Sequence, residues 1–223
     1  MFFNKQSRHR ILLLDPDKVE AGFYDELERK IRSFDPGIFF VGGSFSGSGR
    51  ADAVVEELKQ KTAKPVILFP GDYAQLTPRA DAVLFLSLLS GRNPEYLAGQ
   101  QVKAAPVIRR MQLPVIPTAY LLVDGGTLST VQYITQTLPI PADKIDLAVA
   151  TALAGQYLGM QLVYLEAGSG AINPVPVEML RAVSRAVQIP VIVGGGIRDL
   201  ASVDTYFEAG ANGVVVGTLF END

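Results

Sequence analysis

The sequence predicts an α/β fold, a TIM-type (β/α)8 barrel, and three observations carry that reading. Eight short apolar runs recur along the 223 residues, most of them β-branched and bounded by Gly, Pro or Asp. Their near-continuous apolarity marks parallel strands buried on both faces, where a half-exposed sheet would alternate. Between most of them lie stretches with the length and periodicity of a helix, so that eight strand–loop–helix units fit one chain. A doubly wound open sheet is the alternative; it would need fewer strands and would gather the glycine-bearing strand ends at one switch point.

The elements follow in order. The first strand is Ile11–Leu14, ended by Asp15-Pro16-Asp17-Lys18. A helix is expected from about Val19, with Phe23, Leu27 and Ile31 on one face. After the turn Asp35-Pro36-Gly37 comes strand two, Ile38–Val41, then Gly42-Gly43-Ser44 and a Gly/Ser-rich loop to Arg50. A helix from about Ala51 buries Val54, Val55 and Leu58. Strand three, Val66–Phe69, and strand four, Val83–Leu86, begin only 17 positions apart. A strand–helix–strand unit needs about 30 residues, so the helix after strand three is replaced by a short irregular connection at Tyr73–Arg79. Asn93 caps the next helix, with Pro94 in its first turn. Strand five, Val115–Val123, ends at Gly125-Gly126. In the long stretch Thr127–Gly159, Ile145, Val149, Ala152 and Leu153 suit a buried helix, capped by Asp143 or by a turn at Pro141. Strand six is Leu162–Leu165. A helix near Pro176 carries Leu180, Val183 and Val187, and strand seven is Val191–Val193. Asp199 caps a helix that turns Leu200, Val203 and Phe207 inward and stops at Gly210. Strand eight is Val214–Val216, and the chain ends too soon after it for a closing helix. The expectation is one barrel domain over residues 1–223.

Composition narrows the chemistry. Without cysteine, disulfides, thiolate nucleophiles and Cys-zinc sites are excluded; with His9 as the one histidine, so are His-rich metal sites and a serine triad. A metal would take oxygen ligands. A net charge of −3 and the lack of a Lys/Arg run argue against nucleic acid. Mean hydropathy of +0.22 comes with no apolar run near the ~20 residues of a membrane span and no signal peptide, so a soluble cytoplasmic protein is expected.

The chain is organised around Tyr164–Ala171, Tyr-Leu-Glu-Ala-Gly-Ser-Gly-Ala. It places a carboxylate, Glu166, at a strand end, inside a loop whose backbone amides can wrap a phosphate. Gly194-Gly195-Gly196 and Gly217-Thr218 end strands seven and eight, where barrels commonly bind phosphate. The three ends together read as one phosphate site; singly, each glycine reads as a tight turn. Glu166 is placed to take a proton from a hydroxyl. Tyr164, of the same parity, either orients the substrate or is a core tyrosine with a satisfied hydroxyl. Asp15, Asp17 and Ser44 offer oxygens suited to Mg²⁺, although one of the two aspartates is also a candidate helix cap.

These motifs resemble geranylgeranylglyceryl phosphate synthases. Leu-Asp-Pro-Asp-Lys (14–18), Val-Gly-Gly-Ser (41–44), Tyr-Leu-Glu-Ala-Gly-Ser-Gly-Ala (164–171), Val-Gly-Gly-Gly-Ile-Arg-Asp (193–199), Val-Val-Gly-Thr (215–218) and the stretch Leu88–Leu97 keep the family's order across nearly the whole chain. The resemblance implies a barrel with helix three replaced. It implies Mg²⁺-dependent transfer of a prenyl group from a polyprenyl diphosphate to the C3 hydroxyl of sn-glycerol 1-phosphate. By position, Asp15 and Ser44 would hold the metal. Tyr164, Leu165, Glu166, Ala167, Gly168, Ser169, Gly170, Gly195, Gly196, Gly217 and Thr218 would bind glycerol phosphate, and Glu166, with Tyr164 beside it, would be the base. A Bacillus-like branch has lysine two residues before the first aspartate; Leu13 stands there, which points to the branch shared by archaea and some bacteria, with a geranylgeranyl donor. Dimers or hexamers are implied, with Asn93–Met111 as a contact surface, and an apolar groove that would let the chain work at a membrane surface. Two other readings remain: a barrel enzyme on a small phosphorylated sugar, such as an isomerase, or a non-catalytic binder of a phosphate ligand.

Overall fold

A computed structural model describes residues 2–45, 47, 49–217 and 220. Eight parallel strands close into a barrel in chain order: β1 His9–Leu14, β2 Ile38–Val41, β3 Val66–Leu68, β4 Ala82–Leu88, β5 Val115–Leu122, β6 Leu162–Glu166, β7 Val191–Gly194 and β8 Gly213–Val216. Closure is made by β8 pairing with β1 in parallel, His9 opposite Gly213, which excludes the open sheet.

The apolar strands are explained by two cores. Side chains of one parity fill the barrel interior, Ile11, Ile38, Phe40, Ile67, Leu84, Leu122, Tyr164 and Ile192 among them. Those of the other parity, such as Leu12, Phe39, Leu68, Leu121, Leu165 and Val193, meet the helices outside. Each large side chain so buried contributes about 1.5–3 kcal/mol. Phe3 closes the bottom of the barrel, its ring edge-on to Phe40 and His9.

The helices are α1 Tyr24–Ile31, α2 Ala51–Lys61, α3 Gln100–Met111, α4 Thr130–Thr135, α5 Ile145–Tyr157, α6 Val177–Ala186 and α7 Leu200–Glu208. Four details depart from expectation. First, α1 begins at Tyr24, not Val19, because Gly22 holds a left-handed backbone (φ +79°). Second, neither Asp15 nor Asp17 caps it: Glu57 of α2 reaches across and accepts from the amides of Gly22 (2.9 Å) and Tyr24 (3.0 Å). Third, α4 was not foreseen, although Ser129 accepts from the Gln132 amide at its start, the Ser-x-x-Gln pattern of a helix N-terminus. Fourth, Leu200 lies 38% exposed at the first turn of α7, while Val203 and Phe207 point inward as expected. The start of α5 is settled as a turn, the Lys144 amide bonding Pro141 O.

The link between β3 and β4 holds only a 3₁₀ turn, Tyr73–Gln75, as its spacing demands. Side chains fix it. Asp72 accepts from the Ala74 amide, Gln75 donates to Gly43 O, and Thr77 and Arg79 both donate to Asp52 of α2. No helix follows β8 among the described residues; Phe220 stacks obliquely on Phe34, 5.3 Å between ring centres. None of the described helices is long and apolar enough to cross a membrane.

Candidate active site

Strand parity builds the site. Along β6 the side chains of Leu162 and Tyr164 face the barrel interior, and Glu166 continues that row at the C-terminal rim. Leu165 has the opposite parity and packs against the helices, and Ala167 sits in the same outer core, its amide bonded to Gly194 O. Both had been expected at the substrate, and neither lines the cavity. Tyr164, Glu166, Gly168, Ser169, Gly170, Gly195, Gly196, Gly217, Asp15 and Ser44 all do, around a space of about 730 Å³ at the strand ends. Thr218 lies outside the described residues.

Glu166 is 6% exposed. One carboxylate oxygen, Oε1, accepts from the Gly168 amide at 2.8 Å. The glycines of β7 make room for it. A Cβ on Gly194 would come within 2.8 Å of Glu166 Oε2 and 2.7 Å of Tyr164 Oη; on Gly195 it would strike Glu166 Oε1 and come within 2.7 Å of the Gly168 nitrogen. The glycine run therefore seats the carboxylate as well as baring amides. Since Gly168 is committed to Glu166, the amides left for an anion are those of Ser169, Gly170, Gly195 and Gly196, none of which bonds another group among the described residues. Arg198, which donates to Ala171 O at 3.2 Å, adds a cation at the same rim.

Burial pushes the Glu166 carboxyl above its ordinary range, partly opposed by the Tyr164 hydroxyl and the Gly168 amide. Tyr164 Oη is near enough to influence that proton, yet no hydrogen bond of acceptable geometry closes between them, and the hydroxyl stays buried and unpaired. Tyr120 on β5 is alike: its ring meets Tyr164 edge-on at 5.4 Å and its buried hydroxyl has no partner. Burial, then the Glu166 charge, drives both phenols well above their usual values, so both are donors at any physiological pH. Sequence reading missed Tyr120, although it pairs with Tyr164 in register and so shares its inward parity. It also passed over Phe69, which stacks on both tyrosines.

On the β1 side of the same rim the Asp17 amide donates to Asp15 Oδ1 (3.0 Å), and Lys18 Nζ stands 4.0 Å from Asp15 Oδ2. Asp17 holds the β2 loop through the Gly47 amide at 2.7 Å. No three His, Cys, Asp or Glu side chains cluster to hold a metal among the described residues. Asp15, with Ser44 at the end of the neighbouring strand, nevertheless fits an Mg²⁺ that keeps several waters and takes its other ligands from substrate phosphates.

A narrower apolar space adjoins the first between Phe69, Leu86, Leu88, Tyr96, Val131 and Ile134, and a third continues beneath the 3₁₀ turn to Ala104 and Ile108. The third, against Val83 and Phe85 on the outer side of β4, lies where a regular helix between β3 and β4 would have packed.

A family model described as the PcrB family matches residues 4–223. The chain belongs to the PcrB family. Within it, the geranylgeranylglyceryl phosphate synthase of Flavobacterium johnsoniae is 50% identical over 95% of this chain and 87% of its own length. That of Thermococcus kodakarensis is 43% identical over 97% and 86%. Among solved structures, (S)-3-O-geranylgeranylglyceryl phosphate synthase from Thermoplasma acidophilum, in complex with its substrate sn-glycerol-1-phosphate, matches with a TM-score of 0.90 at 37% identity, over 98% of this chain and 88% of that one. The PcrB-family relatives so named span bacteria and archaea, and these synthases are prenyltransferases.

Proposed function

We propose that this chain joins geranylgeranyl diphosphate to the C3 hydroxyl of sn-glycerol 1-phosphate, releasing diphosphate. One observation carries the reading: a buried carboxylate, Glu166, with one oxygen anchored to Gly168 and the other turned over Gly194 toward a cavity rimmed by unspent glycine amides.

The phosphate of the acceptor rests on the amides of Ser169, Gly170, Gly195 and Gly196, with Arg198 balancing its charge. That anchorage directs the C3 hydroxyl to Glu166 Oε2. The Tyr164 and Tyr120 hydroxyls, buried without partners, are free to donate to acceptor oxygens. As the acceptor oxygen bonds the allylic carbon of the donor, the bond from that carbon to diphosphate breaks and the hydroxyl proton passes to Glu166. Burial has already raised the carboxylate's proton affinity for that step. Asp15 and Ser44 would hold Mg²⁺, which, when bound, neutralises the departing diphosphate. The prenyl tail lies in the apolar space past Phe69 and Tyr96 and on toward the one beneath the 3₁₀ turn, which the missing helix leaves open.

The test is mass spectrometry of the product from purified protein, Mg²⁺ and geranylgeranyl diphosphate, offered sn-glycerol 1-phosphate or its enantiomer. A C3 ether from the former is expected. No ether product from either would overturn the reading.

A further inference from the structure

The surface beside the cavity mouth has a property that the chemistry of the site does not require. From Gly125 to Ala142, 18 consecutive residues carry no Asp, Glu, Lys or Arg, and a second uncharged stretch runs from Ala167 to Val177. Both lie at the C-terminal end of the barrel, after β5 and β6, and they pack together: the Asn173 amide donates to Gly125 O at 3.0 Å. Large apolar side chains point outward from them. Leu128 is 67% exposed, Tyr133 73%, Leu138 81% and Ile172 58%. A surface segment of this length without a charge, tipped with Leu, Ile and Tyr, is unusual for a water-facing loop.

The segment is also the wall of the site. Within α4, Val131 lines both the main cavity and the apolar space beside it, Ile134 lines the latter, and Tyr133 between them faces out. The exposed patch and the tail groove are therefore two faces of one short helix. We propose that 125–142, with Ile172, seats the mouth of the barrel on a lipid bilayer, so that donor enters and lipid product leaves without crossing water. This rests on the prenyltransferase reading, which makes both molecules amphiphiles. The patch favours a neutral bilayer interface. It offers no charge to an anionic surface, and the chain's net charge of −3 would be repelled by one. Protruding Leu, Ile and Tyr on loops and a two-turn helix suit insertion at headgroup depth. A second copy of the chain docked there would cover the mouth.

The test uses the whole chain and flotation with phosphatidylcholine vesicles. Wild type is expected to float, and raising salt or adding anionic lipid is expected not to strengthen binding. The quadruple variant Leu128→Ser, Tyr133→Ser, Leu138→Ser, Ile172→Ser is expected to lose partition by about a hundredfold, and Leu138→Lys alone by about tenfold. With donor dispersed in detergent, both variants are expected to turn over at the wild-type rate; with donor in vesicles they fall in step with partition. The single variant answers the question if the quadruple one does not fold. Wild type that stays with the soluble fraction, variants that float equally well, or a quadruple variant whose only change in ultracentrifugation is loss of a dimer would each overturn the proposal. Absence of product even in detergent would instead strike the prenyltransferase reading and leave flotation to be judged separately.

Discussion

At the scale of single residues, the site is a set of buried polar groups left partly unsatisfied, and that has consequences for stability. Burial raises the pKa of Glu166 in the folded protein, so the stability it contributes is full below the unfolded carboxylate value and is lost as pH rises through the folded one. Glu166→Gln keeps an acceptor for the Gly168 amide and removes the buried charge. Its melting temperature is expected to equal or exceed wild type at pH 8, with the gap closing as pH falls toward 5, measured by calorimetry. The same logic applies to Tyr120, whose hydroxyl is buried without a partner. Tyr120→Phe should be neutral or stabilising by about 1 kcal/mol in the free protein, since an unpaired buried group costs about 1–3 kcal/mol. The extra stabilisation that glycerol phosphate gives should shrink in the variant. A thermal-shift titration would refute this if Tyr120→Phe lost stability without ligand and gained as much as wild type with it.

Sequence reading identified Glu166 because a lone carboxylate interrupts an apolar run at a strand end followed by Gly-Ser-Gly. It found the glycines for one reason and the structure adds another, because what Gly195 stands against is the end of the neighbouring strand β6, far away in sequence and absent from any local pattern. Tyr120 was legible only through inter-strand register, which a single run of residues does not specify. Leu165 and Ala167 were carried along with their motif, and period-two alternation alone would have set Leu165 aside.

At the scale of elements, two contacts that no local pattern announces can be tested. Gly195 holds φ +83° with the Gly168 and Ala167 nitrogens 2.7 and 2.8 Å from where a Cβ would stand. Gly195→Ala should cost about 2 kcal/mol or more in urea unfolding and abolish acceptor binding; a variant that unfolds and binds like wild type would show that the cradle is not needed. Glu57 caps α1 from another helix. Glu57→Ala should lose about 1 kcal/mol, and Glu57→Gln, which retains an acceptor, less than half of that, by the same unfolding measurement. The sequence pointed to Asp15 or Asp17 for this role because capping is usually local. α4 was missed for the opposite reason: six residues are too few to display a helical period, and only Ser129 with Gln132 marked it.

At the scale of the whole molecule, the barrel was readable because eight apolar runs leave few other topologies, and closure by β8 on β1 follows. The 17-position gap between β3 and β4 was readable as well, and it is what gives the molecule its apolar recess. The depth and lining of the apolar space beside it were not readable, since Tyr96 reaches it from the turn before α3 while Val131 and Ile134 reach it from α4, distant in sequence. On the proposed reading, one cavity at the C-terminal strand ends would take the phosphate on the β6–β7 side and Mg²⁺ on the β1–β2 side, with the Glu166 carboxylate lining the same space. Asp15→Asn should accordingly raise the Mg²⁺ concentration needed for half-maximal turnover about tenfold or more while leaving glycerol phosphate affinity within about twofold; equal metal dependence in both proteins would remove Asp15 from the account.

The central claim is that the Glu166 carboxylate removes the acceptor's proton, and single-turnover kinetics across pH test it most directly. Wild type should lose rate on the acid side with an apparent pKa above the ordinary carboxylate range, and Glu166→Gln should bind sn-glycerol 1-phosphate almost as tightly while turning over about 10²–10⁴ times more slowly, its acid limb gone. A Glu166→Gln protein that forms the ether at the wild-type rate would contradict the account.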